Sequence, residues 1–537
     1  MMWFRRLVIA AIGLALASGL IVLARRAADF ATIGDTAVIE SYTWMASTGD
    51  LLLGPYSRFQ WHHPGPISFF WIAPFYALSG ARPAGLSAGA LTLNLAVLAI
   101  LTSMVIRRAD TILSAAIMAV VVAFCWRIAP VLTSPWNPHL IVLAMMALIV
   151  AAADVLAGSY SRLPAVALLA SLVGQTHVGL MPSALAIGGV SVIVSTAGSW
   201  REGRRKEIVR ALLATLAVLA LLWALPIAEQ LTDSPGNMTE LWRFFVTQSH
   251  PGQRWTSAFS AWSDMLTGLV RPDFAVATGL RFRQSPIRWV EAFAVLQLVS
   301  LAVTAALAAR ARRRFELSLA LLLLMVSLLA LWSATRIEQT IFDHEVFWIS
   351  GVGALNIAVL LSLVVRSVRI WQQRGVRSKT GASSPAAAGR GPLNWPATVA
   401  CLMLFTACAA IGLREMFATV AAAANPSPES EAVSTVAKEL ESYMQSERIV
   451  RPLVLIDQDA WPLAAGVILR LQKNGVPVAV EDDWVPMFTP LFAATGREAA
   501  ELAINGKAQH VRSLGKPGDV VIIEHDPQLF VHRILNR

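Results

Sequence analysis

Apolar runs long enough to cross a bilayer dominate the first 417 residues. The first ends near Val22, flanked by Arg5/Arg6 and Arg25/Arg26. Others cover about 86–106, 111–129, 139–156, 163–176, 177–196, 208–227, 290–309, 315–333, 345–365 and 393–417. A helix rises about 1.5 Å per residue, so about 20 apolar residues match the roughly 30 Å hydrocarbon layer. The pattern predicts a polytopic α-helical membrane protein with about eleven transmembrane helices. The opening run reads as an anchor, since it is long, lacks a convincing cleavage site and is followed by many spans. Residues 66–80 are apolar but short, and further crossings there extend the range to thirteen. Gly174-Gln175-Thr176-His177 breaks 163–196, which reads either as one long span or as two short helices meeting near the outer surface.

From residue 419 the period changes. Glu429 to Ser446 has the spacing of an amphipathic helix, and PLVLIDQD reads as a buried strand followed by a helix through Leu471. PVAVEDD and DVVIIEHD repeat the strand-then-acid pattern, placing Asp457, Asp459, Asp482, Asp483, Glu524 and Asp526 after strands. The expected division is a transmembrane domain over 1–418, with long outer loops at 25–85 and 228–289, and a small α/β domain over 419–537. Residues 371–392, rich in small and turn-forming residues, are expected to be a mobile cytoplasmic linker.

Composition narrows the class. Of 537 residues 56% are hydrophobic and 15% charged, against roughly 25% charged in soluble domains, which excludes an ordinary water-soluble protein. The net charge of +10 is uneven: from Glu429 onward 15 acidic residues face 11 basic ones, a net −4, leaving +14 before it. The basic residues form short clusters between apolar runs, such as Arg107/Arg108, Arg201 to Lys206 and Arg310 to Arg314. That is the signature of inner-face loops and not of a nucleic-acid-binding stripe. With those clusters inside, loops 25–85, 130–138, 228–289 and 334–344 and the tail lie outside. Arg25/Arg26 run against that trend. Cys125, Cys401 and Cys408 lie in apolar runs and suggest neither disulfides nor a zinc site.

Polar residues that the membrane does not explain collect in the outer loops. Asp35 follows the first span by about ten residues, where a carboxylate can serve as a general base, with Glu40 as its support. Arg58, His62 and His63 supply positive charge or hydrogen bonds for a phosphate. Their bland counterparts are a surface acid and a turn, His62-His63-Pro64-Gly65-Pro66, ahead of an interfacial helix. In 228–289 aromatics alternate with Arg271, Arg281 and Arg283, which suits a glycan or lipid-phosphate cleft as well as a headgroup-facing loop. Asn137, His139 and His177 mark further polar positions beside apolar runs. Arg336 and His344 are phosphate candidates in the last outer loop, and a divalent cation is compatible with Asp35, Glu40, Asp343 and Glu345. No cofactor is otherwise indicated.

The acid just after the first span, the HHPGP turn and the many spans followed by an outer α/β tail resemble the GT-C superfamily of membrane glycosyltransferases. The likeness is to bacterial aminoarabinose–lipid A transferases, protein O-mannosyltransferases and actinobacterial arabinofuranosyltransferases. It covers roughly residues 1–365 in architecture. Asp35 matches the family's first-loop acid, and His63-Pro64-Gly65-Pro66 stands where a His-Pro-Pro turn is common, with Gly65 a departure. The resemblance implies a sugar donor linked to polyprenyl phosphate, membrane lipids around the fold, and a glycan, lipid or protein acceptor, with transfer on the outer face. Two rivals stand beside it: a transporter or flippase for a lipid-linked saccharide, and a non-catalytic polysaccharide-assembly subunit.

Overall fold

The structure, a computed structural model, describes residues 2–247, 251–282, 287–380, 395–498, 500–506, 520–525 and 529–534. Every apolar run is helical. α1 (Met2–Arg26) leads into two helices of the first loop, α2 (Gly34–Thr48) and α3 (Ile67–Leu78). Then come α4 (Pro83–Arg108), α5 (Thr111–Arg127), α6 (Asn137–Leu156), α7 (Leu163–Thr176), α8 (Met181–Arg201), α9 (Arg205–Leu222) and α10 (Ala224–Thr232). The second long loop holds α11 (Asn237–Trp242) and α12 (Trp255–Leu266), and α13 (Arg288–Arg310), α14 (Arg314–Thr335), α15 (Asp343–Val346), α16 (Ile349–Thr380) and α17 (Trp395–Ala423) complete the helical part.

Among the described residues seven helices are long and apolar enough to cross a membrane, and α9 with α10, bent by 47°, makes an eighth. Three of the expected eleven are not among these eight: α5 has 17 residues, α7 only 14, and α1 is outside the count. α3, with 12 residues, is about 18 Å long, little more than half the apolar layer. α6 lies at the centre of the bundle against α4, α7 and α14. It is buried along almost its whole length, the place for a helix that is apolar on every side.

The tail forms a mixed five-stranded sheet in the order β2-β1-β3-β5-β4. It begins with α18 (Pro428–Ser446), capped by Ser427, whose hydroxyl accepts from the Ser430 amide. β1 (Leu453–Ile456), α19 (Trp461–Lys473) and β2 (Ala479–Val480) follow, then the single turn α20 (Val485–Phe488), β3 (Glu501–Asn505), β4 (Val520–His525) and β5 (Leu529–Ile534). β1 pairs in parallel with β2 and β3, and β5 runs antiparallel to β3 and β4.

The sheet's core continues into the first loop. Ala37, Val38, Tyr42 and Met45 of α2 pack with Val433, Val436, Ala464 and Ile468 in one apolar cluster. Tyr42 and Met45 are almost fully buried there, each worth about 1.5–3 kcal/mol relative to exposure. Polar contacts reinforce the seam: Ser41 donates to Gln472 at 2.7 Å, Tyr42 to the Met487 carbonyl at 3.0 Å, and Ser430 to the Ala31 carbonyl at 2.6 Å. At Gly466 a Cβ would lie 2.4 Å from the Thr32 carbonyl, so only glycine permits this approach.

Two expectations are corrected. α16 continues as helix to Thr380, so 371–380 is not loose linker, and 381–394 lie outside the described residues. The second long loop is not wholly a surface loop: α12 packs against α13, α14 and α16, with Trp262 fully buried and donating to the Ser327 carbonyl at 2.8 Å.

Candidate functional site

Asp35 stands in the first turn of α2, where the helix dipole favours negative charge. Gly34 precedes it at φ +54° and turns the extended chain into the helix; other residues adopt that conformation at a cost. Asp35 is half-buried, and its Oδ1 accepts a hydrogen bond from the Tyr56 hydroxyl. Burial first, then the Asp35 charge, push the Tyr56 phenol above its ordinary range, so it remains a donor.

Tyr56 belongs to a tight hairpin. It bridges to His62, Ser57 donates to the Trp61 carbonyl at 2.9 Å, and His63 donates to the Pro55 carbonyl at 2.8 Å. Gly54 is necessary, since a Cβ there would lie 2.3 Å from the His63 carbonyl. Asn237 clamps the far strand, accepting from the His62 amide and donating to the His62 carbonyl, both at 2.9 Å. Gly65 lies so close to Gln175 that a Cβ would meet its Oε1 at 2.4 Å.

This hairpin carries its histidines into a cluster. The His63 and His177 rings stack at 4.8 Å, and His63 Nδ1 accepts from the Val178 amide at 3.1 Å. His344 is near enough for its charge to act on both rings, and it contacts Trp136 at 5.2 Å between ring centres. Burial, followed by His177, His62 and His344, holds His63 well below the ordinary histidine range. Burial brings His62 down to about 4 against the opposing Pro486 carbonyl. At neutral pH both are uncharged and act through hydrogen bonds.

Arg58 closes one side. It pairs with Glu345 at 3.0 Å and lies over the rings of Phe59 and Phe342, with a third of its side chain exposed. Burial raises Glu345, although the Phe342 amide and Arg58 oppose it. Asp343 accepts from the Thr278 and Gly279 amides at 2.9 Å each. Burial works to raise its pKa, but His344 and these amides prevail and it falls. Through those bonds and the Arg281–Phe342 bridge the end of the second long loop joins the last outer loop.

The sequence candidates separate accordingly. The structure brings Arg58, His63, His177, His344 and Trp136 together, with Arg281 exposed on the adjoining ribbon. Arg336 is exposed at the end of α14. Asn137 donates to the Thr176 carbonyl at 3.3 Å, and His139 uses both ring nitrogens on Ser134 and the Ala277 carbonyl, so both hold the backbone. Arg271 is committed to Asp264 and Asp273. Arg283 and Asp526 lie outside the described residues.

Glu40 faces elsewhere. It is 1% exposed and accepts from Thr32 and Tyr76 at 2.7 Å and from Lys473 at 2.9 Å. Among the described residues no group of three or more His, Cys, Asp or Glu side chains is arranged for a metal ion. Asp35, Glu40, Asp343 and Glu345 each have separate partners, so no step is derived through one. Tyr56, Asn237 and Lys473 escaped the sequence reasoning. Tyr56 carried a local signal in its place beside Arg58 and the His pair, whereas the other two act through distant contacts.

No family model matches the chain, and no curated protein matches it. Solved structures do, among them two of one protein. The crystal structure of ArnT from Cupriavidus metallidurans bound to undecaprenyl phosphate matches with a TM-score of 0.54 and 12% identity over 97% of both chains. The apo structure of the same protein matches with a TM-score of 0.51 and 13% identity over 98% of both. At that identity the likeness is one of fold: the chain shares its architecture with ArnT from end to end, the tail included.

Proposed function

We propose that this chain is a membrane glycosyltransferase that moves a sugar from a polyprenyl-phosphate-linked donor to a hydroxyl of a cell-envelope glycan, lipid or protein. The observation that carries the reading is the end-to-end fold likeness to ArnT, a protein crystallised with undecaprenyl phosphate, in a chain that presents Asp35 half-buried at the start of α2. In this reading the spans number about eleven, and the 419–537 unit and the site face the periplasm of a bacterial inner membrane.

The acceptor O–H gives its proton to Asp35, whose Oδ1 is held by Tyr56 while the second oxygen takes the proton. The acceptor oxygen forms the new bond to the anomeric carbon as the bond to phosphate breaks, and polyprenyl phosphate leaves with that electron pair. A single displacement inverts the anomeric configuration. Exposed Arg281 and Arg336 and the partly exposed Arg58 offer charge to the departing phosphate, and neutral His63 and His177, with His344 beside them, offer hydrogen bonds.

The test is transfer from purified protein supplied with polyprenyl-phosphate-linked sugars and candidate acceptors, comparing the parent with Asp35→Asn. The expected result is product from the parent and a loss of about 10²–10⁴-fold in the variant. Undiminished transfer by Asp35→Asn would overturn the base assignment. Lipid movement without a new glycosidic bond would make the chain a transporter.

A further inference from the structure

Much of the basic charge on the predicted inner face is neutralised within the fold. Arg108 and Arg162 both reach Asp154, Arg366 pairs with Asp110 and Glu316, and Arg314 pairs with Glu202. The start of α9 differs. Arg204, just ahead of it, is fully committed: it grips both carboxylate oxygens of Glu207 at 2.9 Å, donates to the Gly158 carbonyl at 2.9 Å and lies over the Tyr160 ring. Arg205, Lys206 and Arg210 follow. All three are exposed, and among the described residues none of them has an acidic partner. Arg205 rests instead over the Trp200 ring, 4.6 Å from its centre.

These cations border one cavity. An open groove of about 770 Å³ lies between α9 and the turn at Ser161, lined by the three cations, by Ser161 and Gly203, and by Ala211 and Ala214. Glu207 also borders it, but Arg204 already neutralises that carboxylate. The groove therefore presents positive charge that the protein itself leaves unanswered.

Beyond the cations the same side of α9 turns apolar. Lys206, Arg210, Ala214, Ala217 and Leu221 recur every three or four residues, so they share one face of the helix, and all are exposed. From Arg210 to Leu221 this stripe measures about 16 Å, the depth of one leaflet in a roughly 30 Å hydrocarbon layer. Small side chains at 214 and 217 leave room for a run of methylenes against the helix. A phosphate dissolved in water matches only the charged end, whereas a phospholipid matches both. Unpaired cations further favour an anionic headgroup over a zwitterionic one, whose ammonium would meet like charge.

We propose that the groove at the start of α9 is an inner-leaflet site for an anionic glycerophospholipid, its phosphate held by Arg205, Lys206 and Arg210 and an acyl chain lying along Ala214 and Ala217. The site stands apart from the glycosyltransferase reading, and its test needs no turnover. Full-length protein immobilised in neutral detergent is titrated with radiolabelled phosphatidylglycerol, and cardiolipin, phosphatidylcholine and inorganic phosphate serve as unlabelled competitors. Cardiolipin should displace the label at least about ten-fold more effectively than phosphatidylcholine, and inorganic phosphate no better than NaCl of equal ionic strength. The triple variant Arg205→Ala/Lys206→Ala/Arg210→Ala should bind at least about ten-fold more weakly. Ala214→Trp fills the groove without altering charge and should weaken binding by about the same factor; its position is exposed, so the melting temperature should stay that of the parent. Arg310→Ala/Arg312→Ala, which removes exposed cations from another inner turn, should bind as the parent does. Failure of the parent to bind, parent-like binding by the triple variant or by Ala214→Trp, or an equal loss in the Arg310/Arg312 control would each overturn the site. Equal competition by phosphatidylcholine would remove its charge selectivity and overturn it too, and displacement by inorganic phosphate beyond the salt control would make its ligand a soluble anion instead of a lipid.

Discussion

Asp35 and Glu40 are five residues apart on the same helix, yet they occupy different chemical worlds. At 3.6 residues per turn they point about 140° apart around α2, so they cannot serve one centre as neighbours. Asp35 meets a phenol at the mouth of the first loop, while Glu40 is sealed against Lys473, Tyr76 and Thr32 beneath it. Asp35 has one oxygen held by Tyr56, whereas Glu40 uses both of its oxygens on Thr32, Tyr76 and Lys473, and through Lys473 fastens the tail to the first loop. Proximity in sequence suggested a cooperating pair; helical geometry assigns them to separate tasks.

The contrast can be broken most strongly at Asp35. Asp35→Asn should cut transfer by about 10²–10⁴-fold and leave the melting temperature of the purified protein unchanged, and a large melting shift would give Asp35 a structural role. On the other face, Lys473→Met leaves the Glu40 carboxylate buried and uncompensated, at an expected cost of about 3–5 kcal/mol. Thermal unfolding in detergent should show that loss, and the double variant Glu40→Gln/Lys473→Met should recover most of it. If Lys473→Met melts like the parent, the fastening is illusory.

Protonation tests the hairpin between the two acids. His62 has a pKa of about 4 in the folded chain, below the ordinary 6.5, so the unfolded chain binds the extra proton in between. Its contribution is intact above pH 6.5 and is lost as pH falls toward 4, by up to roughly 3 kcal/mol. Melting followed across that window should be flatter for His62→Gln than for the parent. The mildest test is Gly65→Ala, which forces a methyl against Gln175 and Pro226 and should cost about 1–3 kcal/mol, seen as a lower melting temperature with the Glu40–Lys473 pair untouched.

Local signals in the sequence found what is locally determined. Every apolar run is a helix, and the amphipathic spacing of 429–446 and the strand-then-helix pattern of 453–471 correspond to α18, β1 and α19. β3 and β5 were not anticipated, because no acid follows either run to repeat the strand-then-acid pattern. The mixture of aromatics and arginines in 228–289 did not distinguish Trp262, which belongs to the helical core, from Arg281, which lines an exposed ribbon. Nothing near Lys473 announces a partner 433 residues away, and Asn237 clamps a turn 175 residues before it. Such pairings follow from tertiary closure, to which periodicity is blind.

The 433-residue separation of Glu40 from Lys473 also sets a timetable for biogenesis. At translation speeds of about 5–20 residues per second, α2 waits roughly 20–90 s before its partner helix is synthesised. Throughout that interval the apolar face of α2 and its inward carboxylate lack the surface that finally covers them. Late closure makes the first loop the protease-sensitive part of the nascent chain, and pulse-labelled chains truncated before α19 should be cleaved there while full-length chains resist. Equal resistance in both would mean that α2 finds shelter before the tail arrives.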